Sequence, residues 1–199
     1  MTAERGDDDD GATTSRHAVT LDHLPHGRPD DDRPQYEKSP VAYALGERAF
    51  RLFELELAED GDVGIGDRVV VAPADDREAV TSVRETEYDD LSGGAHSELE
   101  YAVEEIVERQ SDRFVDFYND AQPITLRLHQ LNLLPGIGKK LRNKILERRK
   151  RGPFEDFADL TDRVSGLHRP KEVVVERVTE ELRDDDLKYR TFVGRDEDV

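Results

Sequence analysis

The chain has no cysteine and no tryptophan, a single methionine and, for its 199 residues, only seven lysines. Without cysteine there is no disulfide framework, no cysteine-bound zinc, no iron–sulfur cluster and no thiol nucleophile. Apolar residues make up 35% of the chain, below the share usual for a globular protein, so two small modules with polar ends are expected rather than one large core. Nowhere do about 18 apolar residues run together, which excludes a transmembrane helix. The opening MTAERGDDDDGATTS lacks the apolar stretch of a signal peptide, and a cytoplasmic protein is expected. No Ser–His–Asp order, P-loop or GxGxxG is visible.

What the chain has instead is acid. Asp and Glu number 47 against 29 Lys and Arg, for a formal net charge of -18. Arginine outnumbers lysine 22 to 7, and the acid is spread along the whole length. This pattern reads as salt adaptation of the haloarchaeal kind. Molar salt shortens the Debye length to about 3 Å. Net charge then says little about partners, and local departures from the acidic background say more.

One departure is large. Between Leu126 and Gly152 lie nine basic residues and a single acid, Glu147, a net +8; the remainder of the chain carries -26. Four of the seven lysines, Lys139, Lys140, Lys144 and Lys150, fall in this segment, which contains LPGIGKK, residues 134–140. Glycine tolerates positive φ and close backbone approach, so Gly136 and Gly138 allow a tight hairpin. Ile137 between them anchors it inward, and Pro135 stiffens the approach from Leu134. If Gly138 opens a helix, unpaired N–H groups and the positive dipole end face outward, a site for phosphate. Lys140, Lys144, Arg148 and Arg151 then share one helix face, with Lys139 and Arg142 beside them. No cofactor is called for, although a monovalent cation at the hairpin stays open.

The rest of the chain supplies context. Residues 1–15 read as a disordered acidic arm. Residues 16–90 have β texture: HAVTLDHL alternates, a proline-rich connection follows, AFRLFELEL (49–57) reads as a strand, and Arg68–Ala72 and Val80–Glu85 follow after turn signals. GDRVVVA is similar to a strand of OB or S1 barrels. Residues 91–123 carry helical spacing, with Ser97 and Glu100 placed as a capping box and Pro123 as a stop. A helix bearing Ile124, Leu128 and Leu131 is expected next. Offset by 30 residues, LLPGIGKKL (133–141) lies over RVSGLHRPK (163–171). Residues 124–183 are therefore read as a duplicated helix–hairpin–helix unit whose second copy, with His168 in place of Gly138, has lost its phosphate loop. Residues 184–199 complete the chain as a closing strand, KYRTFV, and an acidic tail. The fold class is α+β, a small OB-like barrel followed by an all-α region.

LPGIGKKLRNKIL with its degenerate copy resembles the tandem helix–hairpin–helix module of non-sequence-specific nucleic-acid binders. Over nearly the whole chain, LDHLPHGRPDDDRP, SELEYAVEEIVERQSDRFVDFYNDAQPIT and RLHQLNLLPGIGKKLRNKILERRKRGPFEDFADL are similar to an uncharacterised archaeal family. That resemblance implies an OB-like barrel, a helix–hairpin–helix region and RNA or nucleotide binding, with genes among those for translation and ribosomal-RNA methylation. Binding to structured or ribosomal RNA is the expectation, with DNA as the alternative nucleic acid. A protein adaptor in transcription or translation is a further alternative, with ribosome or transcription components as partners. Tyr36 and Tyr43 are candidates for base stacking; Phe50 and Phe53 read as barrel core. LPGIGKK also resembles the hairpin of base-excision glycosylases, whose lysine nucleophile would fall at Lys140. Those enzymes enclose a flipped base in a larger helical body, which this β-rich chain lacks, and Asp156 and Asp159 are explained by a helix start. His23 and His26, with Asp22, Asp30, Asp31 or Asp32, read as a polar loop rather than a metal site. No enzyme activity is therefore expected.

Overall fold

A computed structural model describes residues 15–194, apart from Asp30. The expected acidic arm up to residue 14 and the end of the acidic tail, residues 195–199, lie outside the described residues.

Five antiparallel strands form one curled sheet: β1 (Arg16–Leu24), β2 (Val41–Gly46), β3 (Leu52–Leu57), β4 (Arg68–Ala72) and β5 (Val80–Glu85). Their order is β4-β1-β2-β3-β5. The edge strands β4 and β5 curl towards each other without pairing, which makes a half-barrel. Its inner face combines alanines with larger aliphatic side chains. Ala18, Ala42 and Ala44 meet Leu55, Leu57, Val63, Val71 and Val80 in one buried cluster. Alanines facing the inside of the curl let the sheet bend sharply. A bulge between Thr20 and Asp22 adds local twist to β1.

The outer face of the sheet is not solvated. Val19, Leu21, Tyr43, Leu45, Phe50 and Leu52 join a second core that continues into the helices. These are α1 (Gly93–Arg109), α2 (Ser111–Asp120), α3 (Lys139–Arg149), α4 (Phe157–Arg163) and α5 (Pro170–Arg183). Burial on both faces explains β2, VAYALG, every residue of which is buried. A strand covered on both sides shows a continuous apolar run rather than alternation, and the sequence reading passes over it. Tyr43 belongs to this core at 6% exposure. Its ring is packed, so the stacking role expected of it is corrected. Tyr36, 85% exposed, keeps a free ring.

Four local expectations change. β3 starts at Leu52, because Phe50 has φ 50° in the hairpin turn after β2. That costly left-handed conformation drives the Phe50 ring into the core, 6.0 Å from Phe114. Helix α1 starts before Ser97: its N-cap is Ser92, whose Oγ accepts from the Ala95 N–H at 3.0 Å and donates to the Asp22 carboxylate. The Gly93–Gly94 pair is part of the helix. A Cβ on Gly94 would meet an Asp22 carboxylate oxygen at 2.6 Å, so close approach, not a turn, requires that glycine. The helix expected over 124–131 is absent. Thr125 Oγ1 accepts from the N–H groups of Arg127 and Leu128, and the N–H groups of Ile124 and Thr125 donate to the Leu128 carbonyl, closing a tight turn instead. KYRTFV forms no strand, because its backbone donors go to a buried carboxylate. Glu181 takes the N–H groups of Thr191, Phe192 and Val193.

Candidate functional site

The LPGIGKK turn is built from its buried residues outward. Leu134 and Ile137 both sit in the core, and the Ile137 N–H donates to the Leu134 carbonyl at 3.2 Å. Between them Gly136 takes φ +74°, the left-handed region that glycine occupies without strain. The Gly138 N–H folds back to the Gly136 carbonyl at 3.2 Å. Asn132 braces the turn by donating to the Ile137 carbonyl at 3.0 Å, while its Oδ1 accepts from Arg142 at 3.1 Å.

Gly138 is the N-cap of α3 and, having no side chain, leaves the helix uncapped. Among the described residues, the N–H groups of Lys139, Lys140 and Leu141 find no acceptor; the first bond of the helix runs from the Arg142 N–H to the Gly138 carbonyl at 2.9 Å. The first turn of α3 has no acidic residue. Three N–H groups without acceptors, the positive end of the helix dipole and the exposed Lys139 and Lys140 thus lie together at the start of α3, an arrangement that favours an anion. Within the turn the N–H groups of Ile137 and Gly138 are already used, while that of Gly136 has no acceptor among the described residues.

The other basic residues divide by use. Lys144 donates to the Ser165 carbonyl at 2.8 Å, and Arg142 is held by Asn132 and Asn143. Arg149 donates to the carbonyls of Tyr118 and Ala121. Arg151 lies past the helix end and faces Glu147 at 3.5 Å. Arg148 and Lys150 have no side-chain partner among the described residues. Part of the +8 segment therefore does structural work: it ties α3 to its neighbours through carbonyl oxygens.

The second turn has the same backbone form. Gly166 has φ +100°, the Leu167 N–H donates to the Val164 carbonyl at 3.0 Å, and Val164 and Leu167 are buried like Leu134 and Ile137. Its chemistry is different. α5 opens on Pro170, which has no N–H, and carries Glu172 in its first turn. Lys171 is engaged by Glu104 and Glu108 of α1. This helix start is also uncapped, but it has one N–H fewer, an acid in its first turn and a lysine already paired, so it is the poorer place for an anion. The groove between the first turn and α5 is of mixed charge: Glu100, Glu104, Glu172, Glu176 and Glu180 line it together with Arg169, Arg177 and Arg183. Sequence reasoning missed these charges, which come from helices remote in the chain.

His129 caps the 3-10 turn Gln130–Leu133 that leads into the site; its Nδ1 accepts from the Leu131 N–H at 3.2 Å. Burial first, then the charges of Arg149 and Arg142, hold its pKa below the ordinary histidine range. The unfolded chain therefore binds a proton that the folded one resists, and stability falls as pH drops below about 6.5. Comparing urea midpoints from pH 7.5 to 5.5, His129→Asn, which keeps an acceptor for Leu131, is expected to flatten this fall by at most about 1.4 kcal/mol per pH unit. Parallel curves for the two proteins would contradict the assignment.

The remaining candidates stay apart from the turn. His23 lies on β1 and His26 just beyond it, and among the described residues no group of three histidine or carboxylate side chains is placed to hold a metal; Asp30 is outside the described residues. Asp156 is the N-cap of α4, accepting from the Asp159 N–H at 2.7 Å, and Asp159 pairs with Arg163. No described helix is long and apolar enough to cross a membrane.

Comparison with known proteins places this architecture. MJ0038, an uncharacterized protein of Methanocaldococcus jannaschii, is 40% identical over 179 residues, covering 89% of this chain and 79% of that protein. The crystal structure of Af1531 from Archaeoglobus fulgidus superposes with a TM-score of 0.82 at 39% identity, over 90% of this chain and 99% of that one. The family described as protein of unknown function DUF655 matches residues 14–194. The chain belongs to the DUF655 family.

Proposed function

We propose that this protein binds nucleic acid without strict sequence preference, structured RNA in particular, by taking a backbone phosphate at the N-terminus of α3. The observation that carries the reading is the uncapped helix start at Gly138, with three free N–H groups and Lys139 and Lys140 exposed beside them in an otherwise acidic chain. In this reading the 134–149 segment is the intact hairpin of a tandem helix–hairpin–helix module. The 164–183 segment is its structural copy, turned over to packing against α1. The half-barrel is an OB-like companion, with Tyr36 as its free aromatic ring.

The charge composition fits a salt-loaded cytoplasm, where phosphate contacts made by side chains lose strength to counterions. Fixed backbone donors keep their geometry there, which favours a hairpin-led mode of binding. Gel shifts with a structured RNA, in molar potassium chloride and at low salt, test the reading. Gly136→Asp combined with Gly138→Asp should lose binding at both salts, while circular dichroism stays native. Unchanged binding by the folded double variant would end the proposal.

A further inference from the structure

The turn that replaces the expected helix presents a side chain that the fold does not use. Leu126 is fully exposed at its tip, and the other large apolar side chains exposed among the described residues, Tyr36, Ile65 and Tyr101, all lie outside the +8 segment. Scattered exposed leucines need no explanation, but this one is held by a rigid frame. Thr125 Oγ1 fixes the N–H groups of Arg127 and Leu128, the Leu128 carbonyl takes two further N–H groups, and Pro123 bridges His129 across the base. Both flanks of the turn are tied to α3. Arg149 holds the Tyr118 and Ala121 carbonyls just before it, and Arg142 holds Asn132 just after it. Arg127, next to Leu126, is exposed and has no side-chain partner among the described residues.

We propose that Leu126 is a wedge that enters an interrupted base stack of duplex RNA while Arg127 takes the neighbouring backbone and the α3 terminus takes a phosphate. This rests on the function proposed above and names its substrate class. An apolar side chain on a rigid tip, flanked by cation, is suited to opening a base step, and opening a paired step costs stacking energy. A helix that carries an unpaired nucleotide has that step already loosened. The ligand is therefore a stem with a bulge, in preference to a perfect stem or a single strand. A single strand offers no stack to enter, and leucine gives it no aromatic platform.

The test uses the full chain and three RNAs of equal length: a single strand, a fully paired stem and the same stem with one unpaired nucleotide. The wild type should bind the bulged stem about tenfold more tightly than the paired one. Leu126→Ala, at an exposed position, should keep its melting temperature and its affinity for the paired stem while losing that preference. With 2-aminopurine beside the bulge, binding should change the fluorescence for the wild type and not for Leu126→Ala. Equal affinities of the wild type for the two stems, or a preference that survives in Leu126→Ala, overturns the wedge and leaves phosphate capture standing. A uniform loss on all three RNAs in Leu126→Ala also overturns the wedge, as does a protein partner whose capture needs Leu126 when bulged RNA does not. Failure of the wild type to bind any of the RNAs overturns both readings.

Discussion

Replacing Glu181 by alanine should cost about 3–5 kcal/mol of stability, the range for breaking a buried ion pair from one side. The carboxylate is wholly buried. Its Oε1 accepts from Arg177 Nε and the Thr191 N–H, both at 2.7 Å, and its Oε2 from the N–H groups of Phe192 and Val193 at 2.8 and 2.9 Å. Alanine leaves three backbone donors without their acceptor and Arg177, itself buried, without its inner counterion. The remaining partners of Arg177 are Glu180, on the groove side, and the Tyr189 carbonyl. The latch also sets Phe192 against Phe114 and Phe117, with ring centroids 5.6 and 5.0 Å apart. Losing it therefore loosens the cover over α2 as well. Glu181→Gln keeps the shape but turns an NH2 group towards N–H donors, so it should recover only part of the loss. Denaturant titration of the three proteins measures this. A loss below about 1 kcal/mol for Glu181→Ala would show that water takes over the carboxylate's role.

The second large effect separates stability from binding. At Gly138 φ is -79° and ψ 179°, the extended backbone of an ordinary N-cap, and a Cβ there meets nothing within 4 Å. Aspartate is among the best N-cap residues, a few tenths of a kcal/mol better than glycine. Gly138→Asp should therefore leave the fold unchanged or slightly more stable. The same carboxylate accepts the free N–H groups of α3 and places a negative charge where a phosphate would sit. Gly136→Asp is a poorer probe, because φ +74° makes any side chain costly there, by roughly 1 kcal/mol. The two glycines look alike in LPGIGKK, and their roles separate only once the dihedral angles are known.

What was legible beforehand follows from where the signal is local. The turn at Gly136, its buried Ile137 and a second turn thirty residues on depend on glycine placement and short spacing, and both glycines take positive φ. Both-face burial hid β2. The start of α1 was placed at Ser97 instead of Ser92, because Asp22, which takes the Ser92 hydroxyl and leaves no room for a Cβ on Gly94, is far away in sequence. The spacing of Ile124, Leu128 and Leu131 suggested a helix, but Thr125 offered the backbone nearer partners and the turn won. Charge counting found the basic segment. It did not reveal that Lys144 and Arg149 are bound to carbonyls, nor that charged side chains of α1 and α5 line the groove beside the turn.

Phosphate capture at the start of α3 is tested most directly by one pair of measurements on Gly138→Asp: its melting temperature and its affinity for a structured RNA, each beside the wild type in the same buffer. The expected result is a melting temperature equal to or above that of the wild type, with affinity lowered at least about tenfold, or ~1.4 kcal/mol. An equally stable Gly138→Asp protein that binds the RNA as tightly as the wild type would contradict it.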